Sequence, residues 1–227
     1  MQKHPEPPIL VIGMEPEGLD TQDPRFLDAF SKCRLLAGGA RHLGTLSGPL
    51  PDPLERFEIR SDIDSLVGRL KTFETGFLER RGGGDCAIVL ASGDPLYYGI
   101  GSRLLKELEP EALRFFPATT LVQRAFSLLR MPWEHARVGS IHSRNADTVV
   151  PMLKGNGLLA FYTNGPGGPS SILDLLLKTG KTPTRFWVVE NIGLPGENVS
   201  MFLPDTLETV RSTLFSALNI VVMTLDT

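Results

Sequence analysis

Apolar runs that suit buried strands alternate with amphipathic segments along the whole chain. Residues 87–91 are continuously apolar, as in a strand that is covered on both faces of a parallel sheet. In the following segment Ile100, Leu104 and Leu108 recur at helical spacing, with charged residues on the opposite face. This alternation predicts an α/β protein with largely parallel strands.

The same patterns place the individual elements. Strands are predicted at residues 9–13, 35–37, 56–59, 86–91, 114–116, 136–140, 158–162, 185–190, 199–203 and 220–224. Helices are predicted at residues 26–32, 63–78, 99–108, 121–129, 146–153, 171–178 and 206–218.

The character of the chain changes near Pro117. The later strands look antiparallel, and a turn at Pro195-Gly196 could join two of them. We therefore expect two α/β lobes, residues 9–116 and 117–227, after a disordered tail of residues 1–8. That tail is polar and proline-rich, which fits neither a signal peptide nor a membrane anchor.

Composition excludes several classes of partner. The chain has 227 residues, a formal net charge of −3 and 22% charged residues, so it has no general attraction to nucleic acid or acidic membranes. Its two cysteines, Cys33 and Cys86, lie in apolar surroundings and predict buried reduced thiols in a cytoplasmic protein. The spacing of Cys and His residues gives no metal site.

The segment from Ser92 to Gly99 follows the most strongly predicted strand. Asp94 is placed to cap the next helix, and Pro95 suits its first position. Ligands of open α/β sheets commonly bind beyond the carboxyl ends of the strands. Taken alone, the segment fits a ligand loop and a simple strand-to-helix junction equally well.

Three familiar motifs are missing. Gly99-Ile100-Gly101 is followed by Leu104 where a dinucleotide fingerprint needs its third glycine. The sequence also has neither a Gly-Lys-Ser/Thr phosphate loop nor a Gly-x-Ser-x-Gly nucleophile elbow. Nucleoside triphosphate chemistry and serine hydrolysis are therefore disfavoured.

Further polar groups follow other predicted strands. They are Thr119-Thr120, Ser140 to Arg144 around His142, Tyr162-Thr163-Asn164 and Glu190-Asn191. The threonines could simply cap a helix, and His142 could be an ordinary loop residue. Polar groups at several strand ends, however, are not needed for strand stability and favour a ligand site.

With these segments in order, the chain resembles the tetrapyrrole methylase family of S-adenosylmethionine-dependent methyltransferases. The resemblance rests on Ser92-Gly93-Asp94-Pro95, Pro117-Ala118-Thr119-Thr120 and Glu190-Asn191-Ile192-Gly193. Gly38-Gly39-Ala40-Arg41, Met131-Pro132-Trp133 and Ser140-Ile141-His142-Ser143-Arg144 resemble the group that methylates C5 of a precorrin or cobalt-precorrin in cobalamin biosynthesis.

The resemblance implies two lobes with a ligand cleft between them, in a homodimer. It implies that S-adenosylmethionine is contacted by Gly93, Asp94, Tyr97, Thr119, Thr120, Tyr162 and Thr163. Arg41, His142 and Arg144, with His42 as a further candidate, would pair with carboxylates of the tetrapyrrole, and His142 would accept a proton. A separate protein could carry the C15 methylation and decarboxylation that some relatives perform in a second domain.

The first loop departs from the family pattern. Its Gly-x-Gly-Pro-Gly turn is replaced by Gly13-Met14-Glu15-Pro16-Glu17-Gly18, which adds negative charge close to the expected tetrapyrrole position. Another methylase of this fold, of the uroporphyrinogen or diphthine type, is one alternative function. A ligand-binding relative without catalytic activity is another.

Overall fold

A computed structural model describes residues 6–60, 62–80, 84–142, 146–163 and 165–226. The chain divides into two compact units, Met1–Thr120 and Leu121–Thr227. The boundary that the sequence predicts after residue 116 stays a prediction.

The first unit is built on a sheet of five parallel strands. Its elements are β1 (Ile9–Met14), β2 (Leu19–Asp20), α1 (Leu27–Ser31), β3 (Cys33–Gly38), α2 (Ala40–Gly44), β4 (Leu46–Ser47), β5 (Glu55–Glu58), α3 (Ile63–Arg80), β6 (Cys86–Ser92), α4 (Gly101–Glu107) and β7 (Leu113–Phe116). The strand order is β5-β3-β6-β1-β7, and β2 pairs only with β4.

Helices cover both faces of this sheet. On one face Val11 and Val89 pack with Leu66 and Leu70 of α3. On the other face Ile12 and its neighbours pack against α1 and the chain before it. Because β6 is buried on both sides, its residues are continuously apolar, as the sequence pattern predicted.

The second unit contains a mixed five-stranded sheet. Its elements are α5 (Leu121–Leu129), β8 (Arg137–Ser140), α6 (Val150–Leu153), β9 (Gly157–Tyr162), α7 (Gly168–Lys178), β10 (Arg185–Glu190), β11 (Asn198–Phe202), α8 (Thr209–Ser212) and β12 (Asn219–Leu225). The order is β11-β10-β12-β9-β8, in which only β8 and β9 are parallel. The expected α/β class and the antiparallel pairing of β10 with β11 are confirmed.

The predicted long helix over residues 206–218 is wrong, because α8 has a single turn. Hydroxyl groups here bond to nearby main-chain atoms: Thr209 Oγ1 donates to the Thr206 carbonyl and Thr213 Oγ1 to the Thr209 carbonyl. Such local bonds compete with a continuing helix. Thr213 is extended, and the helix ends there.

The predicted cap of α4 is also wrong. Helix α4 begins at Gly101, too far along the chain for Asp94 to cap it or for Pro95 to occupy its first position. Instead, Asp94 Oδ1 accepts the Leu96 N–H at 2.8 Å, and the Pro95 carbonyl accepts the Gly101 N–H at 2.8 Å. Tyr98, with a φ of 54°, completes a compact turn between strand and helix.

The start of the chain is partly described. Residues 1–5 of the predicted tail lie outside the described ranges. Pro8 is buried, and its carbonyl accepts the Ala87 N–H at 2.8 Å, so at least this residue is built into the sheet.

Both cysteines are buried and free, as predicted. Cys33 and Cys86 are register partners on β3 and β6. The neighbouring Cys86 thiol, and then burial, raise the pKa of Cys33, whereas the Cys33 thiol lowers the pKa of Cys86. Within the described ranges, no helix is long and apolar enough to span a membrane, and no cluster of acidic, His or Cys side chains could hold a metal ion.

Candidate functional site

Three backbone segments meet at the carboxyl end of the first sheet. The Gly93 N–H donates to the Met14 carbonyl at 3.0 Å, and the Gly93 carbonyl accepts the Ala118 N–H at 3.1 Å. These bonds connect the ends of β1, β6 and β7. We call this arrangement, formed by Gly13, Gly93 and Ala118, the three-strand junction.

The junction leaves no room for side chains at its two glycines. A Cβ on Gly13 would lie 1.8 Å from the Gly93 carbonyl oxygen and 2.7 Å from Ala118 N. Gly93 has a φ of +56°, and a Cβ there would lie 3.1 Å from Thr120 Cα. The junction therefore depends on glycine for both space and conformation.

The predicted cofactor residues of the first unit gather around this junction. Gly93 lies directly against the backbone of Thr119 and Thr120. Asp94 follows Gly93, and its carbonyl accepts the Tyr97 N–H at 3.1 Å. The structure thus brings the segment that begins at Gly93, and continues through Asp94 and Tyr97, against the separate segment of Thr119 and Thr120.

Next to the junction the chain presents an exposed apolar turn. Leu96, Tyr97 and Tyr98 are 48%, 38% and 40% exposed, a high value for three consecutive large side chains. The two tyrosine rings contact each other edge to face at 5.0 Å. Partial burial, with a smaller effect of Tyr98, raises the pKa of Tyr97, so its phenol stays neutral and can donate a hydrogen bond.

Glu15 takes part in the same region through its carboxylate. Its Oε1 accepts the Thr119 N–H at 3.0 Å, so the residue that breaks the family turn holds the chain after β7. A cavity of about 300 Å³ borders this contact and is lined by Glu15, Phe116 and Thr119 among others. The sequence indicated that Glu15 adds negative charge here, but it did not indicate the hydrogen bond between the Glu15 carboxylate and the Thr119 N–H.

Arg41, a predicted substrate residue, lies near the end of β6. Its Nη2 donates to Ser92 Oγ at 3.0 Å, and His42 Nε2 lies 2.9 Å from the same oxygen. Burial and then the charge of Arg41 lower the pKa of His42 to about 4. His42 is therefore neutral at pH 7 in the free protein, and its pairing with a substrate carboxylate stays a prediction.

A second polar group belongs to the second unit, at the ends of β8 and β9. Here the Ile141 N–H donates to the Tyr162 carbonyl at 2.9 Å, and His142 Nδ1 lies 3.2 Å from the Thr163 carbonyl oxygen. A carbonyl oxygen only accepts hydrogen bonds, so Nδ1 carries the proton. In neutral His142, Nε2 is then left as the acceptor on an exposed ring.

The Thr163 hydroxyl is used inside the fold. It donates to the main-chain carbonyl of Asn219 at 2.9 Å and also contacts the Asn219 side-chain oxygen. Asn219 Nδ2 in turn donates to the carbonyls of Gly165 and Ser216. Of the polar groups of Thr163, its main chain is the better candidate for a ligand contact.

Glu190 and Asn191 organise a turn. The buried Glu190 carboxylate accepts the Ser216 N–H at 2.7 Å and the Asn198 side-chain amide at 3.1 Å. Asn191 has a φ of 49°, and its amide donates to Ser216 Oγ at 2.9 Å. Arg144 and Asn164 lie outside the described residues.

Comparisons with known proteins extend over most of the chain. The family model "Tetrapyrrole (Corrin/Porphyrin) Methylases" matches residues 57–208. A cobalt-precorrin-7 C(5)-methyltransferase from Salmonella typhimurium is 30% identical over 84% of this chain and 88% of that protein.

Two further relatives extend this comparison. A precorrin-6Y C(5,15)-methyltransferase (decarboxylating) from a Sinorhizobium species is 28% identical over 86% of this chain but only 44% of its own length. The crystal structure of a uroporphyrin-III C-methyltransferase from Thermus thermophilus, in complex with S-adenosylhomocysteine, has a TM-score of 0.68 at 14% identity. It covers 95% of this chain and 96% of that one, which shows the same fold.

Proposed function

Because this chain belongs to the tetrapyrrole (corrin/porphyrin) methylase family, we propose that it methylates C5 of a precorrin or cobalt-precorrin. The family resemblance expected from the motifs is confirmed. The protein is an S-adenosylmethionine-dependent methyltransferase of cobalamin biosynthesis, and its substrate is a tetrapyrrole. We propose C5 as the methylated carbon because 84% of this chain aligns with the Salmonella C(5)-methyltransferase at 30% identity.

We propose the three-strand junction as the core of the cofactor site. This proposal is supported by the exposed Thr119 and the half-buried Asp94, which adjoin the junction, and by the exposed apolar surface of Leu96, Tyr97 and Tyr98 that follows it in the chain. Gly93, Asp94, Tyr97, Thr119 and Thr120 would hold the cofactor. Tyr162 and Thr163 are also proposed as cofactor-binding residues, with Thr163 acting through its main chain.

The chemistry needs alignment more than a strong base. When bound, S-adenosylmethionine supplies a methyl group that is activated by a sulfonium. Holding two reactants in the correct orientation can lower a barrier by roughly 7–11 kcal/mol. The tight backbone contacts of the junction suit this role, since they fix the loop without flexible side chains.

We propose His142 as the group that accepts a proton from the methylated ring. The Thr163 carbonyl fixes Nδ1 as the protonated nitrogen, so Nε2 has the free lone pair that a base requires. Arg41 and Arg144 are proposed to bind carboxylates of the tetrapyrrole. Arg41 suits this task because none of the described carboxylates pairs with it.

We further propose that the enzyme is a homodimer. Strand β11 is an edge strand of the second sheet, and Val199, Met201 and Leu203 recur at the spacing of one strand face with 41%, 53% and 41% exposure. An exposed apolar edge strand can pair with another chain, and an exposed apolar patch marks an interaction site. A second copy of this chain is the occupant that we propose.

Two other features stay proposals. A separate protein would carry the C15 methylation and decarboxylation, which the name of the Sinorhizobium relative combines with C5 methylation. Pull-down from the source cell tests for it, and failure to recover such a protein would contradict the proposal. A cytoplasmic location is tested by cell fractionation.

Calorimetry with S-adenosylhomocysteine tests the cofactor site. Asp94→Ala removes the carboxylate that fixes the turn, and Thr119→Tyr fills space at the junction, so both should weaken binding by about tenfold or more. Asp62→Ala is the matched control, because Asp62 makes a similar bond to the Ser65 N–H at the start of α3. Normal binding by both site variants would place the cofactor elsewhere.

A further inference from the structure

The cluster of Arg41, His42 and Ser92 is organised around one guanidinium nitrogen. Arg41 Nη2 lies 3.0 Å from Ser92 Oγ and 3.3 Å from His42 Nε2. Ser92 ends β6, whereas Arg41 and His42 belong to α2, which follows β3. Two neighbouring strands of the sheet thus position the three side chains.

The hydrogen bonds of the cluster can be assigned from its chemistry. A guanidinium only donates, so Ser92 Oγ accepts from Arg41 Nη2. His42 Nε2 has either one proton or one lone pair and therefore makes a single hydrogen bond, and its shorter contact is with Ser92 Oγ at 2.9 Å. Ser92 thus holds Nη2 and is itself held by His42, while Nε and Nη1 of Arg41 keep their N–H groups for a partner other than the described residues.

The fold accepts a cost to keep His42 in this position. Nδ1 is buried and has no hydrogen-bond partner among the described residues. A buried nitrogen without a hydrogen-bond partner is destabilising and calls for an explanation. The hydrogen bond of the other nitrogen with Ser92 gives one. A neutral imidazole can lie next to Arg41, whereas a charged one would repel it.

Arg41 itself is exposed and lacks an acidic neighbour. Several other arginines in the described ranges pair with carboxylates, such as Arg103 with Asp64 at 2.6 Å and Arg211 with Asp174 at 2.7 Å. Arg41 has only the neutral contacts described above. An arginine whose orientation is fixed by neutral groups, and whose charge is not paired with a carboxylate of the protein, is suited to bind a carboxylate of a ligand.

We propose that Ser92 and His42 are positioning residues, which aim Arg41 at one peripheral carboxylate of the tetrapyrrole. This inference rests on the proposed function, because it takes a carboxylated tetrapyrrole as the ligand. It adds two residues to the substrate site and gives Ser92 a role separate from that of its neighbours Gly93 and Asp94. Arg41 binds the ligand, and Ser92 and His42 act only through Arg41.

Uroporphyrin, a stable octacarboxylated tetrapyrrole, is the probe for this site. Its Kd is measured by porphyrin fluorescence on the intact chain, and the Kd of S-adenosylhomocysteine is measured by calorimetry on the same samples. The variants are Arg41→Gln, Ser92→Ala, Ser92→Thr and His42→Ala. Arg56→Gln is the control, since Arg56 is an exposed arginine on β5 of the same sheet.

Arg41→Gln should raise the uroporphyrin Kd about tenfold, the effect of one charge-assisted hydrogen bond. Ser92→Ala and His42→Ala should raise it about threefold to fivefold, since the guanidinium remains but loses its orientation. Ser92→Thr keeps the hydroxyl and should restore the wild-type value. The affinity for S-adenosylhomocysteine should stay unchanged in every variant. With the natural substrate, KM should rise while kcat changes less than about twofold.

Three results would overturn the inference: no uroporphyrin binding by the wild type, an unchanged Kd in Ser92→Ala, or equal weakening of both ligands. A merely structural role for Ser92 would affect both ligands and would not be rescued by threonine. If the wild type fails to bind S-adenosylhomocysteine, the proposed function is wrong, yet the uroporphyrin series still decides whether Ser92 and His42 orient Arg41.

Discussion

Substitution of Gly13 by alanine should disrupt the three-strand junction while adding only one methyl group. The new Cβ would lie 1.8 Å from the Gly93 carbonyl oxygen, whereas real Cβ contacts are essentially never below 3.0 Å. Its neighbours at this distance are main-chain atoms, which cannot rotate away. The ends of β1 and β6 must therefore separate.

The size of the effect follows from the bonds that this separation breaks. They are the Gly93 N–H bond to the Met14 carbonyl at 3.0 Å and the Ala118 N–H bond to the Gly93 carbonyl at 3.1 Å. Each contributes about 1 kcal/mol net, and overpacking adds a further 1–3 kcal/mol. We expect the free energy of unfolding to fall by about 3–5 kcal/mol and binding of S-adenosylhomocysteine to weaken at least about tenfold.

Urea denaturation and calorimetry measure these two quantities. Gly68→Ala is the matched control, because Gly68 lies in α3 and a Cβ there meets nothing within 4 Å. This control should gain up to about 1 kcal/mol of stability from helix propensity and bind the ligand normally. If Gly13→Ala matched the wild type in both measurements, the close approach of the three strands would be refuted.

Three further outcomes are expected. Thr163→Val should lower the free energy of unfolding by about 1–3 kcal/mol in urea denaturation, because the buried Asn219 oxygens lose the Thr163 hydroxyl that donates to them. An unchanged free energy of unfolding would contradict this. Because the pKa of His42 is lowered from 6.5 to about 4, its contribution to stability is complete above pH 6.5 and is lost as the pH falls toward 4. The free energy of unfolding is measured by urea denaturation at a series of pH values for the wild type and for His42→Gln. The variant should lose about 1–2 kcal/mol less than the wild type as the pH falls, after allowance for solvent screening. Equal losses in both proteins would contradict this. Met201→Lys places a charge on the exposed face of β11 and should convert the proposed dimer into monomers in sedimentation analysis. A dimer that is unchanged in this variant would contradict an interface at β11.

Most strands of the two five-stranded sheets could be predicted from the sequence because these strands are buried. An apolar run such as residues 87–91 indicates a strand that is buried on both faces, and such a run can be recognised in the local sequence alone. The glycine at position 93 and the polar residues after the strands likewise indicated where a ligand loop should lie. Local pattern was therefore sufficient for most of the strands and helices, though not for α8 or for the start of α4.

The contacts that organise the site could not be predicted in this way. Arg41 meets Ser92 across 51 residues, and Thr163 meets Asn219 across 56. Nothing in either local sequence specifies such a partner. The errors at Asp94 and at residues 206–218 have a related cause, because side-chain bonds to nearby main chain replaced the expected helical turns.

Methyl transfer to C5 is the central claim, and one labelling experiment tests it directly. The purified enzyme is incubated with the precorrin or cobalt-precorrin substrate and S-adenosylmethionine that carries a ¹³C-labelled methyl group, and the product is examined by NMR. The proposed function predicts a single labelled methyl group bonded to C5. Label at another ring carbon, or no transfer by folded enzyme that binds S-adenosylhomocysteine, would contradict it.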